Sequence, residues 1–167
     1  MKPGRTPNWN VIADVEQTTW LEPADRASDD RVLLPASLRK RVSWSEPTST
    51  LGLLATIAAD GGVTVVPLAE AADELAAIRS VLASSGADER AGLAYAAMAT
   101  YSRISLQPDG RLRLSPTLTL HLFPGDGRRV WVGAHDGAIT LWSERDWARV
   151  LAISSRALQE AMTAARS

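Results

Sequence analysis

The side chains best suited to bind another molecule are arginines, and they lie in two clusters along the sequence. Arginine forms bidentate hydrogen bonds with phosphates and with guanine edges, so several such cations on one face predict contact with DNA. Arg111 and Arg113 share one face of a predicted strand because side chains alternate along a strand. The other interpretation is a solvated charged surface balanced by nearby aspartates and glutamates. The candidate DNA-binding residues are Arg31, Arg39, Lys40 and Arg41 in the first cluster and Arg103, Arg111 and Arg113 in the second.

No arrangement of residues in this sequence predicts an enzyme or a cofactor site. There is no Gly-rich phosphate loop, no G-x-S-x-G and no H-E-x-x-H motif. Asp29 and Asp30 are adjacent, so on a strand they would point to opposite faces, and they favour a turn over an acid–base or metal pair. The chain contains no cysteine and only two histidines, His121 and His135. We therefore expect no thiol chemistry, no metal site, and two imidazoles that are solvated or locally bonded.

The composition is typical of a folded, soluble protein. Hydrophobic residues make up 46% of the chain and charged residues 22%, which suffices for a buried core. The longest apolar stretch, residues 51–59, is far shorter than the ~20 residues that cross a bilayer, and the N-terminal residues lack the apolar core of a signal peptide. We therefore expect a cytoplasmic protein. Its net charge of −1 does not by itself indicate a nucleic-acid partner.

An internal repeat organises the elements that must position the arginines. Residues 30–38 read DRVLLPASL and residues 110–118 read GRLRLSPTL, and each segment predicts a short strand followed by a helical turn. Residues 60–67 and 136–143 both begin with Asp-Gly between apolar runs, which is a strong hairpin signal. Each repeat should therefore contain a hairpin that follows the short strand and helical turn.

Helical periodicity follows each hairpin. Ser143 and Asp146 predict a capping box at the start of the last helix, and Pro67 ends the strand before the first helix. The predicted elements are a first strand over residues 11–21, helices over 68–82, 89–101 and 143–165, and a strand over 102–106. The apolar residues that share one face of the last helix are Trp147, Val150, Leu151, Leu158 and Met162.

The repeat divides the chain into an N-terminal tail (1–10), a first repeat (11–84) and a second repeat (85–167) with leading and closing helices. One repeat has a very small core for its surface, so we expect the two to pack on each other as a pseudo-dimer. The predicted fold class is α+β, with two β-rich modules forming one barrel and a helix at the C-terminal end of each module.

Six tryptophans accompany a single phenylalanine, and Trp is favoured in cores and at interfaces. Trp142 and Trp147 lie at a predicted strand end and on a helix face, where we expect core packing. Trp131 alternates with Val130 and Val132, so it faces the opposite side of its strand and marks a packing surface. The interface candidates are Trp9, Trp20, Trp44 and Trp131.

The order of these motifs resembles the MraZ family, bacterial DNA-binding proteins built from two tandem AbrB-type swapped-hairpin modules. The resemblance covers roughly residues 12–160. It rests on two Arg-apolar-x-apolar-Pro/Ser segments at 31–35 and 111–115, on Pro-Ala-Ser-Leu-Arg at 35–39, and on the two hairpin–helix units. The strongest stretch runs from Asp-Gly-Arg-Leu at 109–112 to the closing Trp-x-x-x-x-Trp segment. The resemblance implies two tandem AbrB/MraZ-like modules.

The sequence departs from the family signature once in each module. Members carry an Asp four residues before the Arg. In this chain that position holds Ala27 before Arg31 and Gln107 before Arg111. The resemblance implies that this Asp–Arg pair holds the loop that faces DNA, so the chain keeps the arginines without that anchor. The neighbouring carboxylates that could replace the anchor are Asp29, Asp30 and Asp109.

The resemblance implies a transcriptional regulator that binds double-stranded DNA and reads repeated promoter elements as a homo-oligomer, a ring in the family. We expect it to be nucleoid-associated and to need no cofactor. The residues predicted to contact DNA are Arg31, Arg39, Arg111 and Arg113, with Lys40, Arg41 and Arg103 steadying the phosphates.

Two other functions remain open. The first is a protein-interaction module of the same fold that has lost DNA binding and binds a regulator, a toxin or another subunit. The second is a small-molecule-binding barrel, which would need an apolar pocket with a few convergent polar groups. DNA binding and protein interaction are distinguished by whether the two arginine clusters meet on one surface or are paired with the neighbouring aspartates.

Overall fold

A computed structural model describes residues 10–16 and 18–167, and in it eight antiparallel strands close into one barrel. The α+β class and the barrel predicted from the sequence are confirmed. Around the barrel the strands follow the order β1-β2-β6-β5-β3-β4-β8-β7. The strands are β1 (Thr19–Ser28), β2 (Arg31–Leu33), β3 (Leu51–Ile57), β4 (Val63–Pro67), β5 (Tyr101–Leu106), β6 (Arg111–Arg113), β7 (Arg129–His135) and β8 (Ala138–Ser143).

Two tight hairpins form where the Asp-Gly pairs predict them. β3 pairs with β4 and β7 pairs with β8. Gly61 has φ of +89° and Gly137 has φ of +80°, a left-handed conformation that glycine adopts without steric cost. The glycine therefore sets the turn, and the apolar runs on either side supply the paired strands.

Several strand pairs join the first part of the chain to the second. β1 pairs with β7 and β3 pairs with β5, while β2 pairs with β6 and β4 pairs with β8. At the centre of the β2–β6 pair, Val32 lies opposite Leu112, and neither side chain is exposed to solvent. Because the barrel is closed by these pairs, one core serves all eight strands.

The barrel interior is filled by aliphatic side chains that alternate along the strands. Short helices close the interior, and each contributes a fully buried leucine, Leu38 and Leu118. The largest fully buried side chains are Leu34, Leu38, Leu53, Leu106, Leu112, Leu118, Leu122, Ile139, Leu141, Val32, Val63 and Val65.

Three of the five α-helices formed by the described residues project from the barrel. The helices are α1 (Ala36–Arg39), α2 (Ala72–Ser84), α3 (Ala87–Thr100), α4 (Pro116–Leu122) and α5 (Glu144–Ala165). Within α2 and α3 no residue is buried, and α5 buries only Asp146. In the part of the chain that the structure describes, every helix is too short or too polar to cross a bilayer.

The predicted helices are confirmed, with two differences. The helix predicted over residues 68–82 begins as a 3-10 turn at Leu68–Glu70 before α2 starts. The apolar face predicted for α5 exists but is not covered, since Leu151, Leu158 and Met162 are 45%, 63% and 43% exposed. Periodicity defines the face of a helix, whereas its burial depends on a neighbour that the sequence does not reveal.

The first strand lies later in the chain than its predicted range of 11–21, so that prediction is wrong. Val11–Asp14 forms a 3-10 helix, and β1 runs over Thr19–Ser28. The physical reason is local, because the side chain of Asn10 accepts a hydrogen bond from the backbone N–H of Ile12 and stabilises a turn there.

The tryptophans differ from several expectations. Trp20 is only 6% exposed and belongs to the core, so its predicted contact with another subunit is wrong. Trp142 and Trp147, predicted to pack in the core, are half-buried outside the barrel wall. Trp147 stacks on Trp131 at 5.5 Å and lies 5.2 Å from Trp142, so these three rings attach α5 to β7 and β8. Trp44 is half-buried, and Trp9 lies outside the described residues.

Candidate nucleic-acid interface

The two arginine clusters meet where β2 pairs with β6. Arg31 lies opposite Arg113 and Leu33 lies opposite Arg111, while the residues between them point into the core. The prediction that Arg111 and Arg113 share a face is therefore confirmed. We call the outward face of these two strands, formed by Arg31, Leu33, Arg111 and Arg113, the arginine ribbon. It places three guanidinium groups and one exposed leucine side by side.

Asp109 lies at the edge of the arginine ribbon and contacts Arg111 twice. One carboxylate oxygen accepts from Nη1 of Arg111 at 2.6 Å, and the other accepts from its backbone N–H at 3.1 Å. These hydrogen bonds, together with the charges of Arg111 and Arg31, hold the pKa of Asp109 below its usual value. Asp109 thus stays ionised and holds the turn that leads into β6.

Arg113 extends over a cleft beside the arginine ribbon. Its Nε lies 3.6 Å from a carboxylate oxygen of Asp30, and both side chains are about half exposed. Arg103 on β5 lines the same cleft, which has a volume of about 710 Å³ and also contains Ser115 and Thr119. Asp29 and Asp30 line the cleft too, so its two guanidinium groups face two carboxylates. The hydroxyls of Ser115 and Thr119 already donate to the hydroxyl of Ser102 and to the carbonyl oxygen of Ser115.

Arg39 reaches the arginine ribbon from α1 and packs on Gly110, in the turn before β6. A Cβ atom on Gly110 would lie 2.8 Å from the Cζ of Arg39, so only glycine permits this close approach. Among the described side chains, the Nε atoms of Arg31 and Arg39 are both buried without a hydrogen-bond partner. An unpaired buried donor is costly, so both side chains hold their positions at the expense of a hydrogen bond.

Two residues of the predicted set lie apart from this surface. Arg41 places its guanidinium 4.0 Å from the ring centre of Trp20 in a cation–π contact, so it is held against β1 and not on the arginine ribbon. Lys40 caps the end of α1 and is exposed. The structure therefore brings together Arg31, Arg39, Arg103, Arg111 and Arg113, and it leaves Lys40 and Arg41 apart from them.

Both histidines make polar contacts with residues that are distant in the sequence. The Nε2 of His121 donates to the carbonyl oxygen of Gly61 at 2.6 Å, because a carbonyl can only accept. The Nδ1 of His135 lies 2.6 Å from the hydroxyl of Thr19. Across the residues that the structure describes, no group of three or more His, Asp or Glu side chains is arranged to hold a metal ion.

Sequence reasoning missed Leu33, whereas it named Asp30 and Asp109 among the carboxylates that could replace the family anchor. Leu33 is 40% exposed between the arginines, although its position in an apolar run suggested burial. The alternation Arg-Val-Leu in a three-residue strand was the available signal, since residues on either side of a buried Val32 must face outward.

Compared with models of known protein families and with curated proteins, this chain matches none.

Proposed function

We propose that this chain is a DNA-binding transcriptional regulator of the MraZ/AbrB type that reads repeated promoter elements as an oligomer. The observation that carries the proposal is the arginine ribbon, where cations from distant parts of the sequence meet on one antiparallel strand pair. The major groove of DNA, about 12 Å wide, admits a two-stranded ribbon, and arginine is the side chain that most often reads guanine there. Arg39 and Arg103 flank the ribbon, where DNA phosphates would run.

The strand pairing supports two tandem modules with exchanged hairpins. If β1–β4 are interchanged with β5–β8, every neighbour relation around the barrel is reproduced. The arginine ribbon lies where the two halves meet, with Val32 opposite Leu112 at its centre. A regulator with this internal two-fold arrangement would present similar chemistry to both strands of DNA. We propose the module boundaries 11–84 and 85–167 on this basis.

Asp109 supports the same function despite the missing family aspartates. It lies two residues before Arg111, binds its side chain and backbone, and lowers the electrostatic cost of placing Arg31 nearby. We propose that Asp109 performs the anchoring role that Gln107 cannot perform. The retained anchor keeps the guanidinium groups oriented before DNA arrives, which reduces the entropy lost on binding.

Replacing Arg31 and Arg111 together by alanine is expected to weaken binding to the promoter duplex at least about thirtyfold, since each bidentate arginine contact contributes about 1–3 kcal/mol. The measurement is fluorescence anisotropy with the duplex upstream of the protein's own gene and a scrambled duplex, across a salt series. The preference for the promoter duplex over the scrambled duplex should fall as well, because these two arginines would read bases while Arg39 and Arg103 would contact phosphates.

The matched control replaces Arg79 and Arg156 by alanine, which removes the same charge from the projecting helices. This control should bind the promoter duplex with the affinity and salt slope of the unchanged protein. Equal weakening in both double variants would mean that only overall charge matters and would reject the arginine ribbon as the interface. Absence of binding to either duplex at low salt would reject the DNA-binding function for that promoter.

One observation favours a second function, a protein-interaction module. Arg111 and Arg113 already contact Asp109 and Asp30, and Leu33 is exposed between them. Mixed charges around an exposed leucine are typical of protein interfaces, whereas a phosphate-binding surface is more uniformly basic. The two functions therefore differ in whether these carboxylates oppose the bound partner.

Replacing Asp30 by asparagine tests this difference and leaves the Asp109 anchor in place. Asparagine keeps the shape of the side chain while removing the negative charge that lies 3.6 Å from Arg113. For a DNA-binding surface we expect up to about fivefold tighter binding at low salt, because an exposed ion pair worth about 0.2–1 kcal/mol no longer competes with phosphate. Unchanged or weaker binding in the same anisotropy assay would count against DNA and favour the protein-interaction module.

A further inference from the structure

One residue breaks the two-fold pattern of the arginine ribbon. The strands β2 and β6 hold equivalent places in the two halves of the barrel, so Arg31 corresponds to Arg111. By the same relation Leu33 corresponds to Arg113. A fully symmetric ribbon would carry four arginines, whereas this one carries three arginines and a leucine. The sequence therefore supplies an apolar side chain at one defined position in place of a cation.

The two ends of the arginine ribbon differ in chemistry for this reason. At one end, which we call the cationic end, Arg31 lies opposite Arg113 and two guanidinium groups stand side by side. At the other end, which we call the mixed end, Leu33 lies opposite Arg111 and a guanidinium group stands beside an apolar side chain. A ligand that spans the ribbon therefore meets different groups at its two ends.

The charges of the two ends differ as well. At the mixed end the carboxylate of Asp109 accepts a hydrogen bond from Arg111 at 2.6 Å, so one negative charge offsets one positive charge. At the cationic end a carboxylate oxygen of Asp30 lies 3.6 Å from Arg113, and two guanidinium groups accompany this one carboxylate. The mixed end therefore has balanced charges, and Leu33 is the group that distinguishes it.

Leu33 is accessible to a ligand because it takes no part in the barrel core. It is 40% exposed, whereas the next residue, Leu34, is 1% exposed and belongs to the core. A leucine side chain cannot form a hydrogen bond with a phosphate or with a base edge. The apolar group that base pairs present in the major groove is the 5-methyl group of thymine, and apolar side chains contact it there.

The spacing of side chains on the arginine ribbon matches the spacing of stacked base pairs. Residues two apart on a strand, such as Arg31 and Leu33, are separated by about 6.6 Å, and two base-pair steps of DNA rise about 6.8 Å. Leu33 and its cross-strand neighbour Arg111 have Cβ atoms about 5 Å apart. With the strands running along the major groove, a base beneath Leu33 lies about two steps from a base beneath Arg31.

We propose that Leu33 determines part of the DNA sequence preference by packing on the 5-methyl group of a thymine at the mixed end of the arginine ribbon. The contact removes the exposed leucine and the methyl group from water together. Discrimination arises because adenine, guanine and cytosine lack this methyl group. The inference rests on the proposed DNA-binding function, and it names the base that one position of the bound element contains.

Replacing every thymine of the promoter duplex by deoxyuridine tests this contact, because uracil lacks only the 5-methyl group and keeps the hydrogen-bonding atoms of thymine. In fluorescence anisotropy the unchanged protein should bind the substituted duplex about fourfold more weakly, the loss expected when one methyl group is no longer buried. For Leu33→Ser, at an exposed position, the loss should be about fourfold smaller. Any effect of uracil on DNA shape is common to both proteins, so the ratio of the two losses isolates the contact.

The matched control is Leu158→Ser on α5, which removes the same side chain from a position that is 63% exposed and lies on another wall of the barrel. This variant should show the same loss on the substituted duplex as the unchanged protein. Equal losses for Leu33→Ser and the unchanged protein would overturn the contact between Leu33 and thymine, even though both proteins bind the promoter duplex.

Selection from a pool of random duplexes gives a second readout that does not depend on the promoter. The unchanged protein should enrich duplexes with thymine at one fixed position. Leu33→Arg supplies the fourth arginine, so it should lose that preference and enrich guanine there. The same thymine preference in both proteins, or none in the unchanged protein, would overturn the Leu33 contact and leave DNA binding intact. An unchanged protein that binds no duplex would instead reject the DNA-binding function and this inference with it, so the two failures are distinguishable.

Discussion

Replacing Leu112 by alanine is expected to lower the free energy of unfolding by about 2–5 kcal/mol, the range for removing a leucine side chain from a packed core. Leu112 is fully buried at the centre of β6, opposite Val32 on β2. Each of these strands has only three residues, so no neighbouring side chain on the same strand can fill the cavity. Urea denaturation followed by tryptophan fluorescence should show a lower midpoint with an unchanged slope.

The matched control is Leu120→Ala on α4, where the same side chain is 76% exposed. Its unfolding free energy should change by less than about 0.5 kcal/mol, as expected for a surface substitution. If both substitutions have equal effects, the barrel does not close around Leu112 as described. If Leu112→Ala lowers the slope as well as the midpoint, the two halves of the barrel no longer unfold together.

The second large effect is expected for Gly61→Ala in the β3–β4 turn. Gly61 has φ of +89°, and a Cβ atom there would lie 2.6 Å from the Cγ of Asp146. Asp146 is buried and cannot simply move away, because it accepts from Arg149 at 2.5 Å and its backbone N–H is bonded to Ser143. Backbone strain and overpacking together should destabilise the protein by about 2–4 kcal/mol, measured by urea denaturation.

Gly137→Ala in the β7–β8 turn is the matched control. Gly137 has φ of +80°, but a Cβ atom there would meet no other atom within 4 Å. Only the backbone conformation is penalised, so we expect a loss of about 1 kcal/mol. The difference between the two variants measures the contact between Gly61 and Asp146. Equal losses would show that Asp146 does not lie over the turn.

Local features were predictable from the sequence because short-range chemistry controls them. The Asp-Gly pairs predicted both hairpins, and Ser143 caps α5 through a hydrogen bond from the backbone N–H of Asp146, as its spacing indicates. The reciprocal half of the predicted capping box is replaced, since the carboxylate of Asp146 binds Arg149. A short sequence window predicts the Ser143 cap. It does not show whether the carboxylate of Asp146 accepts from the backbone N–H of Ser143 or from the guanidinium of Arg149.

The arrangement of distant residues was not predictable in the same way. Alternation showed that Arg111 and Arg113 share a face, but only the register of β6 against β2 places Arg31 opposite Arg113. Trp20 was predicted to contact another subunit, yet its inward position on β1 buries it beneath Arg41. Register and burial arise from packing across the whole barrel, so they appear only when all eight strands are in place.

Barrel closure also has a consequence for the order in which the chain can fold. Closure pairs Thr19 with His135, residues that are 116 positions apart. Such long-range pairing requires a costly loop closure before it gains any stability, so folding is expected to be slow among domains of this size. During synthesis, β1 and β3 emerge long before their partners β7 and β5. Their unpaired edges stay open to other chains until the second half of the protein leaves the ribosome.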